Sequence, residues 1–139
     1  MLYTLQTEMV SWTTGRRKAF IISTLRGGFR RYPPKYEVLR KACVGVMLNA
    51  KTGRMAKHYT CATCIVPFPA KEVQVDHIEP IVDPLVGFIN FDVFAEKLFC
   101  EEDNLQVLCK ECHQVKTKKE MDMKPKKVKA PKPKKSKKC

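Results

Sequence analysis

Three short stretches organise this chain: Cys61-Ala-Thr-Cys64, Val75-Asp-His-Ile-Glu-Pro80 and Cys109-Lys-Glu-Cys112-His113. Each Cys-x-x-Cys pair places two thiolates on one tight turn, and two such pairs supply the four ligands of a tetrahedral zinc ion. The sequence therefore predicts a structural Zn²⁺ bound by Cys61, Cys64, Cys109 and Cys112. Such an ion would hold together a segment too small to fold on packing alone.

An acid and a histidine, Asp76-His77, lie between the two cysteine pairs. Val73 and Val75 alternate with polar neighbours, which predicts a short strand that ends in this dipeptide. Successive side chains of a strand point to opposite faces, so one of the two can ligate a metal while the other faces a water molecule. Phosphodiester hydrolysis needs both a base and a cation. The alternative is a polar strand end without a catalytic role.

The order of these residues resembles the HNH endonucleases, a branch of the ββα-metal (His-Me finger) nucleases. The resemblance covers residues 57–120 and includes Asn104-Leu-Gln-Val-Leu-Cys-Lys-Glu-Cys-His113-Gln-Val-Lys. It implies that His77 is the general base and that Asp76 and His113 ligate a catalytic divalent cation (Mg²⁺, Mn²⁺, Ni²⁺ or Zn²⁺). It also implies that Asn104 either supports the backbone of His77 or ligates that metal, and we expect support.

The Cys-x-x-Cys-His sequence admits two other interpretations. His113 could replace a cysteine at the zinc, but four cysteines already complete that shell. The same five residues spell a site of covalent haem attachment, which would leave Cys61 and Cys64 without a role. We therefore expect His113 at the catalytic metal.

Helices are predicted on both sides of the first cysteine pair. Ile21, Leu25 and Phe29 repeat at four-residue spacing, which indicates a helix with Thr14 as its N-cap. After the Pro33-Pro34 break, a second helix is predicted from Pro34 to Leu48, with a turn at residues 49–53. Later elements are predicted at 91–99 (a helix capped by Asn90), at 105–108 (the second strand) and from His113 to about Glu120 (a helix).

The predicted fold class is α+β, a zinc-stapled ββα-metal (HNH) module with an N-terminal helical extension and a disordered basic tail. We place the extension at residues 1–56, the HNH nuclease module at 57–120 and the Lys/Pro-rich tail at 121–139. The tail is expected to be disordered because it has almost nothing apolar to bury.

The charge of the chain predicts a polyanionic partner. Its 139 residues include 27 Lys plus Arg against 14 Asp plus Glu, a net charge of +13. Nine lysines and one aspartate lie in 121–139, so the tail is expected to bind DNA phosphates, or else to serve only as a solubilising end. The odd number of cysteines and the lack of a long apolar run favour a cytoplasmic protein without membrane contact.

Residues and resemblance together imply a metal-dependent endonuclease acting on double-stranded or branched DNA. The alternative is a non-catalytic, zinc-stabilised nucleic-acid-binding or docking module of a phage DNA-processing complex. Asp76-His77 favours the nuclease, since binding alone has no use for a base beside a carboxylate. The chain resembles small phage-encoded HNH proteins, which implies host cytoplasm as its location and phage packaging or recombination proteins as partners.

Overall fold

The computed structural model describes residues 12–126, and in this range the chain forms four α-helices and five strands. The helices are α1 (Thr14–Gly28), α2 (Pro33–Ala42), α3 (Phe91–Leu98) and α4 (Lys110–Met123). The strands are β1 (Cys43–Asn49), β2 (Arg54–Thr60), β3 (Pro67–Pro69), β4 (Val73–His77) and β5 (Leu105–Cys109). The predicted α+β class is confirmed. Within the same range, no helix has both the length and the apolarity to cross a bilayer.

The first two helices begin and end at local sequence signals. The N-cap of α1 is Thr13, one residue before the predicted cap, and its hydroxyl oxygen accepts a hydrogen bond from the Arg16 amide at 3.2 Å. A threonine cap satisfies one of the amides that a helix start leaves unpaired. The helix ends at Gly28, and Pro33 opens α2, where a missing amide hydrogen costs nothing.

The prediction of one helix from Pro34 to Leu48 is wrong in its second half. Helix α2 stops at Ala42, and the next seven residues form β1, which pairs antiparallel with β2. The turn at residues 49–53 favours two strands over a continuous helix. Gly53 adopts a φ of +68°, and its amide donates to the Asn49 carbonyl at 2.8 Å. Such a turn joins two strands as a hairpin. The predicted boundary between residues 56 and 57 consequently falls inside β2.

The core of the described residues is formed mainly by side chains of β5 and α3, with α2 and α4 packed on β5. Strand β5 pairs antiparallel with β4, from Val73 opposite Cys109 to His77 opposite Leu105. The strands β1, β2 and β3 form a separate sheet in that order. The buried apolar side chains belong mainly to β5 and α3: Leu105, Val107, Leu108, Cys109, Phe94 and Leu98, with Cys61 from the first cysteine turn. This packing fixes the end of β4, where Asp76 and His77 lie.

Two helix predictions meet different outcomes. The α3 prediction is confirmed, with the Asn90 side-chain oxygen accepting from the Val93 amide at 2.8 Å. Helix α4 begins at Lys110 rather than His113, because the Cys109 sulfur caps it by accepting from the Cys112 amide. It also continues to Met123, so the predicted disorder is wrong for residues 121–123. Residues 127–139 of the predicted tail lie outside the described residues.

Candidate functional site

Four cysteine side chains converge at one end of β5. The Sγ atoms of Cys61, Cys64, Cys109 and Cys112 all lie within 4.8 Å of one another. Zinc–sulfur bonds of about 2.3 Å in a tetrahedron place the sulfurs roughly 3.8 Å apart, so a small contraction fits the cluster to the ion. It is the one group of three or more Cys, His, Asp or Glu donors that converges in residues 12–126. The predicted cluster is thus confirmed as one that could hold a metal ion such as zinc.

Backbone hydrogen bonds bring the two cysteine turns together. The Ala62 amide of the first turn donates to the Val107 carbonyl of β5 at 2.8 Å. Within the same turn, the Ile65 amide donates to the Cys61 carbonyl at 3.0 Å, and Ile65 adopts a φ of +59°. This left-handed conformation is rare for a β-branched residue. The backbone of this tight turn is therefore strained, and a metal bound to its two thiolates would stabilise the strained conformation.

The pKa values of the clustered cysteines depend on their hydrogen bonds and charges. Burial raises the pKa of Cys61, but hydrogen bonds from the backbone of Cys64, Cys109 and Thr63 outweigh it and lower that pKa to about 6. The pKa of Cys112 is raised, first by its hydrogen bond with Cys109 and then by burial. One thiolate therefore disfavours a second beside it, and a divalent cation would remove that repulsion.

His77 is a buried histidine whose tautomer is fixed by its neighbour. Its side chain is 7% exposed, and Nε2 lies 2.8 Å from the Leu98 carbonyl oxygen at the end of α3. A carbonyl oxygen only accepts, so Nε2 carries the proton and the lone pair of the neutral ring is on Nδ1. His77 also lines a surface cleft. Its Nδ1 is thus the nitrogen that can accept a proton from a bound water.

The Asp76 side chain contacts residues of α4 and β5. Its Oδ1 lies 3.5 Å from Nε2 of His113, near the start of α4. Gln106, opposite Asp76 on β5, places its amide nitrogen 3.4 Å from Oδ2. The structure therefore brings the two expected ligands, Asp76 and His113, together beside His77.

Lys116 belongs to this site, although sequence analysis assigned it no role. Its ammonium donates to the Asp76 carboxylate at 2.9 Å, to the His77 carbonyl at 2.8 Å and to Glu120 at 2.6 Å. Burial lowers the pKa of Lys116, but the bonds to Glu120 and Asp76 outweigh burial and raise it. The lysine is therefore charged. Its position three residues after His113 on one helix was the signal that could have identified it.

Asn104 holds the backbone that follows His77. Its side-chain oxygen accepts from the Glu79 amide at 2.9 Å, and its main-chain oxygen accepts from the Ile78 amide at 2.8 Å. Both bonds join the start of β5 to the two residues after the end of β4. Backbone support, the role that we expected of Asn104, requires contacts of this kind.

A cleft of about 230 Å³ opens beside Asp76 and His77. Three cationic side chains line it: Arg26 from α1, Lys116 from α4 and Lys124 just after α4. The Arg26 guanidinium lies 5.7 Å from the centroid of the Phe94 ring, a cation–π contact that helps to fix its position. Two carboxylates, those of Asp76 and Glu120, also line the cleft, so it combines a histidine with three cationic and two acidic side chains.

No protein-family model, curated protein or solved structure matches this chain.

Proposed function

We propose that this protein is a metal-dependent endonuclease of the HNH type that hydrolyses phosphodiester bonds of double-stranded or branched DNA. The main support is the arrangement at the end of β4, where the Asp76–His113 pair lies beside the buried His77. The pair's 3.5 Å separation is close to the roughly 3.4 Å between two ligands of one tetrahedral ion with bonds of about 2.1 Å. Asp76 and His113 are therefore the residues that would hold a catalytic cation.

The chain's own groups divide the chemistry between them. His77 takes the proton of the attacking water on Nδ1, because Nε2 remains bonded to the Leu98 carbonyl. The water oxygen bonds to phosphorus while the bond between phosphorus and the 3′ oxygen breaks, and the departing oxygen takes a proton from solvent water, which leaves 5′-phosphate and 3′-hydroxyl ends. Asp76 and His113 would hold a divalent cation, which would stabilise the charge on the phosphoryl group and the departing oxygen. Lys116 orients the Asp76 carboxylate through its 2.9 Å contact.

Supercoiled plasmid provides the direct test. Zinc-loaded protein with added Mg²⁺, Mn²⁺ or Ni²⁺ should nick or linearise the plasmid, and the same reaction without added cation should be slow. Asp76→Asn keeps the size of the side chain but removes the charge that binds the cation, so it should reduce cleavage. If none of the cations yields nicked or linear product, the proposal is wrong.

Arg26→Ala should weaken DNA binding more than an equal loss of charge elsewhere on α1. Arg26 lines the cleft, whereas Arg17, exposed on the same helix, does not. Each phosphate contact contributes about 0.9 to the slope of log affinity against log salt. We therefore expect Arg26→Ala to reduce that slope by about one, measured by fluorescence anisotropy on a labelled duplex, and Arg17→Ala to change it less. Equal effects of the two substitutions would exclude a specific contact by Arg26.

Deleting residues 127–139 should separate affinity from catalysis. The segment contains seven lysines, and each one that contacts a phosphate adds about 0.9 to the salt slope. Truncation should therefore weaken binding and flatten its salt dependence. Cleavage at saturating protein should persist, because Asp76, His77 and His113 all precede the deletion. Unchanged affinity at every salt concentration would mean that this segment makes no DNA contact.

One observation favours the non-catalytic alternative. The Lys116 ammonium lies 2.9 Å from the Asp76 carboxylate and competes with a cation for it. Titration of Mn²⁺ into zinc-loaded protein distinguishes the two functions. Mn²⁺ binding that Asp76→Asn weakens supports the nuclease, whereas normal DNA affinity without Mn²⁺ binding favours a DNA-binding or docking module.

A further inference from the structure

The segment that joins α1 to α2 contacts His77 from outside the cysteine-bounded module. The Phe29 ring packs against the imidazole in a tilted arrangement, with 4.9 Å between ring centroids and an angle of 41° between the planes. Phe29 also contacts Tyr32, at 5.9 Å between centroids, and Tyr32 packs edge-on against Phe99 at 5.2 Å. A continuous row of aromatic rings therefore runs from His77 to the end of α3.

Tyr32 and His77 together satisfy the carbonyl groups at the end of α3. The last carbonyls of a helix have no partner within the helix. His77 donates to the Leu98 oxygen at 2.8 Å, and the Tyr32 hydroxyl lies 2.9 Å from the oxygens of both Phe99 and Cys100. His77 thus binds the first of three successive carbonyls, and the next two share the single proton of the Tyr32 hydroxyl. The acceptor that fixes the His77 tautomer belongs to a segment that Tyr32 holds in place.

A histidine ring needs two constraints to present one nitrogen reliably. The torsion that rotates the ring has a broad, roughly two-fold energy profile, so the ring can turn over, which exchanges the positions of Nδ1 and Cδ2 and those of Nε2 and Cε1. The hydrogen bond to Leu98 selects the protonated nitrogen and opposes this turnover, and the contact with Phe29 restricts the tilt of the ring plane. The two contacts together set the tautomer and the direction of Nδ1.

We propose that Phe29 and Tyr32 are positioning residues for His77, Phe29 by packing on the imidazole and Tyr32 by fixing the segment that supplies its hydrogen-bond acceptor. The segment between α1 and α2, which contains both residues, then contributes to the function of the site. Only the expected effect of these residues on DNA cleavage rests on the proposed function. The orientation of His77 can be measured whether or not the protein cuts DNA.

The chain offers matched controls for both residues. Tyr32→Phe removes only the hydroxyl, and Tyr36→Phe removes a hydroxyl that bonds to the Arg30 carbonyl and not to the carbonyls at the end of α3. Phe29→Leu replaces the ring by an apolar side chain. Phe88→Leu makes the same change in a half-buried ring that contacts Phe91 and Phe94 but not His77. Loss of packing alone would affect the Phe29 and Phe88 variants alike.

The test is the long-range ¹H–¹⁵N spectrum of the histidine rings in zinc-loaded, full-length protein, which has three histidines to assign. Wild type, Tyr36→Phe and Phe88→Leu should show His77 as one tautomer protonated on Nε2. Phe29→Leu and Tyr32→Phe should show mixed tautomers or exchange broadening at His77 alone. Phe29→Trp, which keeps an aromatic face, should restore the single form.

Cleavage gives the second measurement. Misplacing a catalytic group by about 1 Å can cost about 100-fold in rate, so Phe29→Leu and Tyr32→Phe should lower kcat by about 10- to 100-fold with little change in KM for DNA. Unchanged His77 spectra in both variants would overturn the positioning role. Perturbed spectra in a protein that never cleaves DNA would support the positioning role and overturn the proposed function.

Discussion

Replacing Cys109 by serine should release the metal and abolish cooperative folding. Small zinc modules gain about 10–16 kcal/mol of apparent free energy from the bound ion, which matches or exceeds the roughly 5–15 kcal/mol stability of a typical domain. Cys109 is 3% exposed and packs beside Leu108 and Cys61, so a serine there would also place a hydroxyl in an apolar site. We expect about one zinc per wild-type chain by mass spectrometry, little zinc in the variant, and loss of its melting transition by circular dichroism.

Cys43→Ser is the matched control for this experiment. Cys43 is half-buried in β1 and lies outside the four-cysteine cluster. The same chemical change there should leave the zinc content unchanged and the Tm within a few degrees of wild type. A Cys109→Ser protein that melts like wild type without zinc would show that the ion contributes nothing to folding.

The thiol cluster and the candidate catalytic residues share one structural element. Helix α4 begins directly after Cys109, and His113 and Lys116 lie in its first two turns. A metal held by the cysteines would therefore fix the N-terminus of this helix relative to β5. Because Asp76 contacts both His113 and Lys116, its surroundings depend on that orientation.

The sequence predicted local features whose geometry follows from spacing. Two Cys-x-x-Cys pairs have few ways to present four sulfurs, and the four sulfurs do converge. The alternation at Val73 and Val75 predicted β4, and Asn90 predicted the start of α3, for similarly local reasons. The contact of His113 with Asp76 does not follow from spacing alone, because α4 begins beside the start of β4, where Cys109 pairs with Val73, and reaches Asp76 by packing back along β4.

The sequence did not predict strand β1, because its apolar run fits the periodicity of a helix as well as that of a strand. Val44, Val46, Met47 and Leu48 give similar patterns on a short helix and on a strand, and a run of this length does not distinguish them. The predicted turn at 49–53 joins β1 to β2 as a hairpin, and a hairpin requires a strand on each side of the turn. The residues of the turn thus indicate the secondary structure of this region better than the spacing of its apolar side chains.

The contacts of the N-terminal segment with the site could not be read from spacing. Phe29 and Tyr32 lie far from His77 and Phe99 in the sequence, and only tertiary packing brings them together. The same holds for Arg26, whose apolar neighbours Leu25 and Phe29 predicted a helix but not the surface on which it packs. Lys116 differs, because its helical spacing from His113 was available in the sequence.

His77→Ala should lower the cleavage rate by about 10²–10⁴-fold, the usual cost of removing a general base. Zinc content and DNA affinity should be unchanged, because His77 contacts neither the cysteine cluster nor the cationic side chains Arg26 and Lys124. The substitution also leaves the Leu98 carbonyl without its partner, which costs about 1–3 kcal/mol. A second variant, His77→Gln, retains an N–H donor for Leu98 but has no basic nitrogen, so it should be equally inactive and more stable.

His58→Gln is the matched control, since His58 is also buried, at 5% exposed, and bonds to the Ala56 carbonyl away from the cleft. The rates should be compared under single-turnover conditions at saturating protein, with Mn²⁺ and a plasmid substrate, so that differences in affinity do not enter. Melting curves for all variants then separate lost stability from lost chemistry. If His77→Ala and His77→Gln cut as fast as wild type while folded, His77 is not the base, and the resemblance to HNH endonucleases does not extend to the reaction.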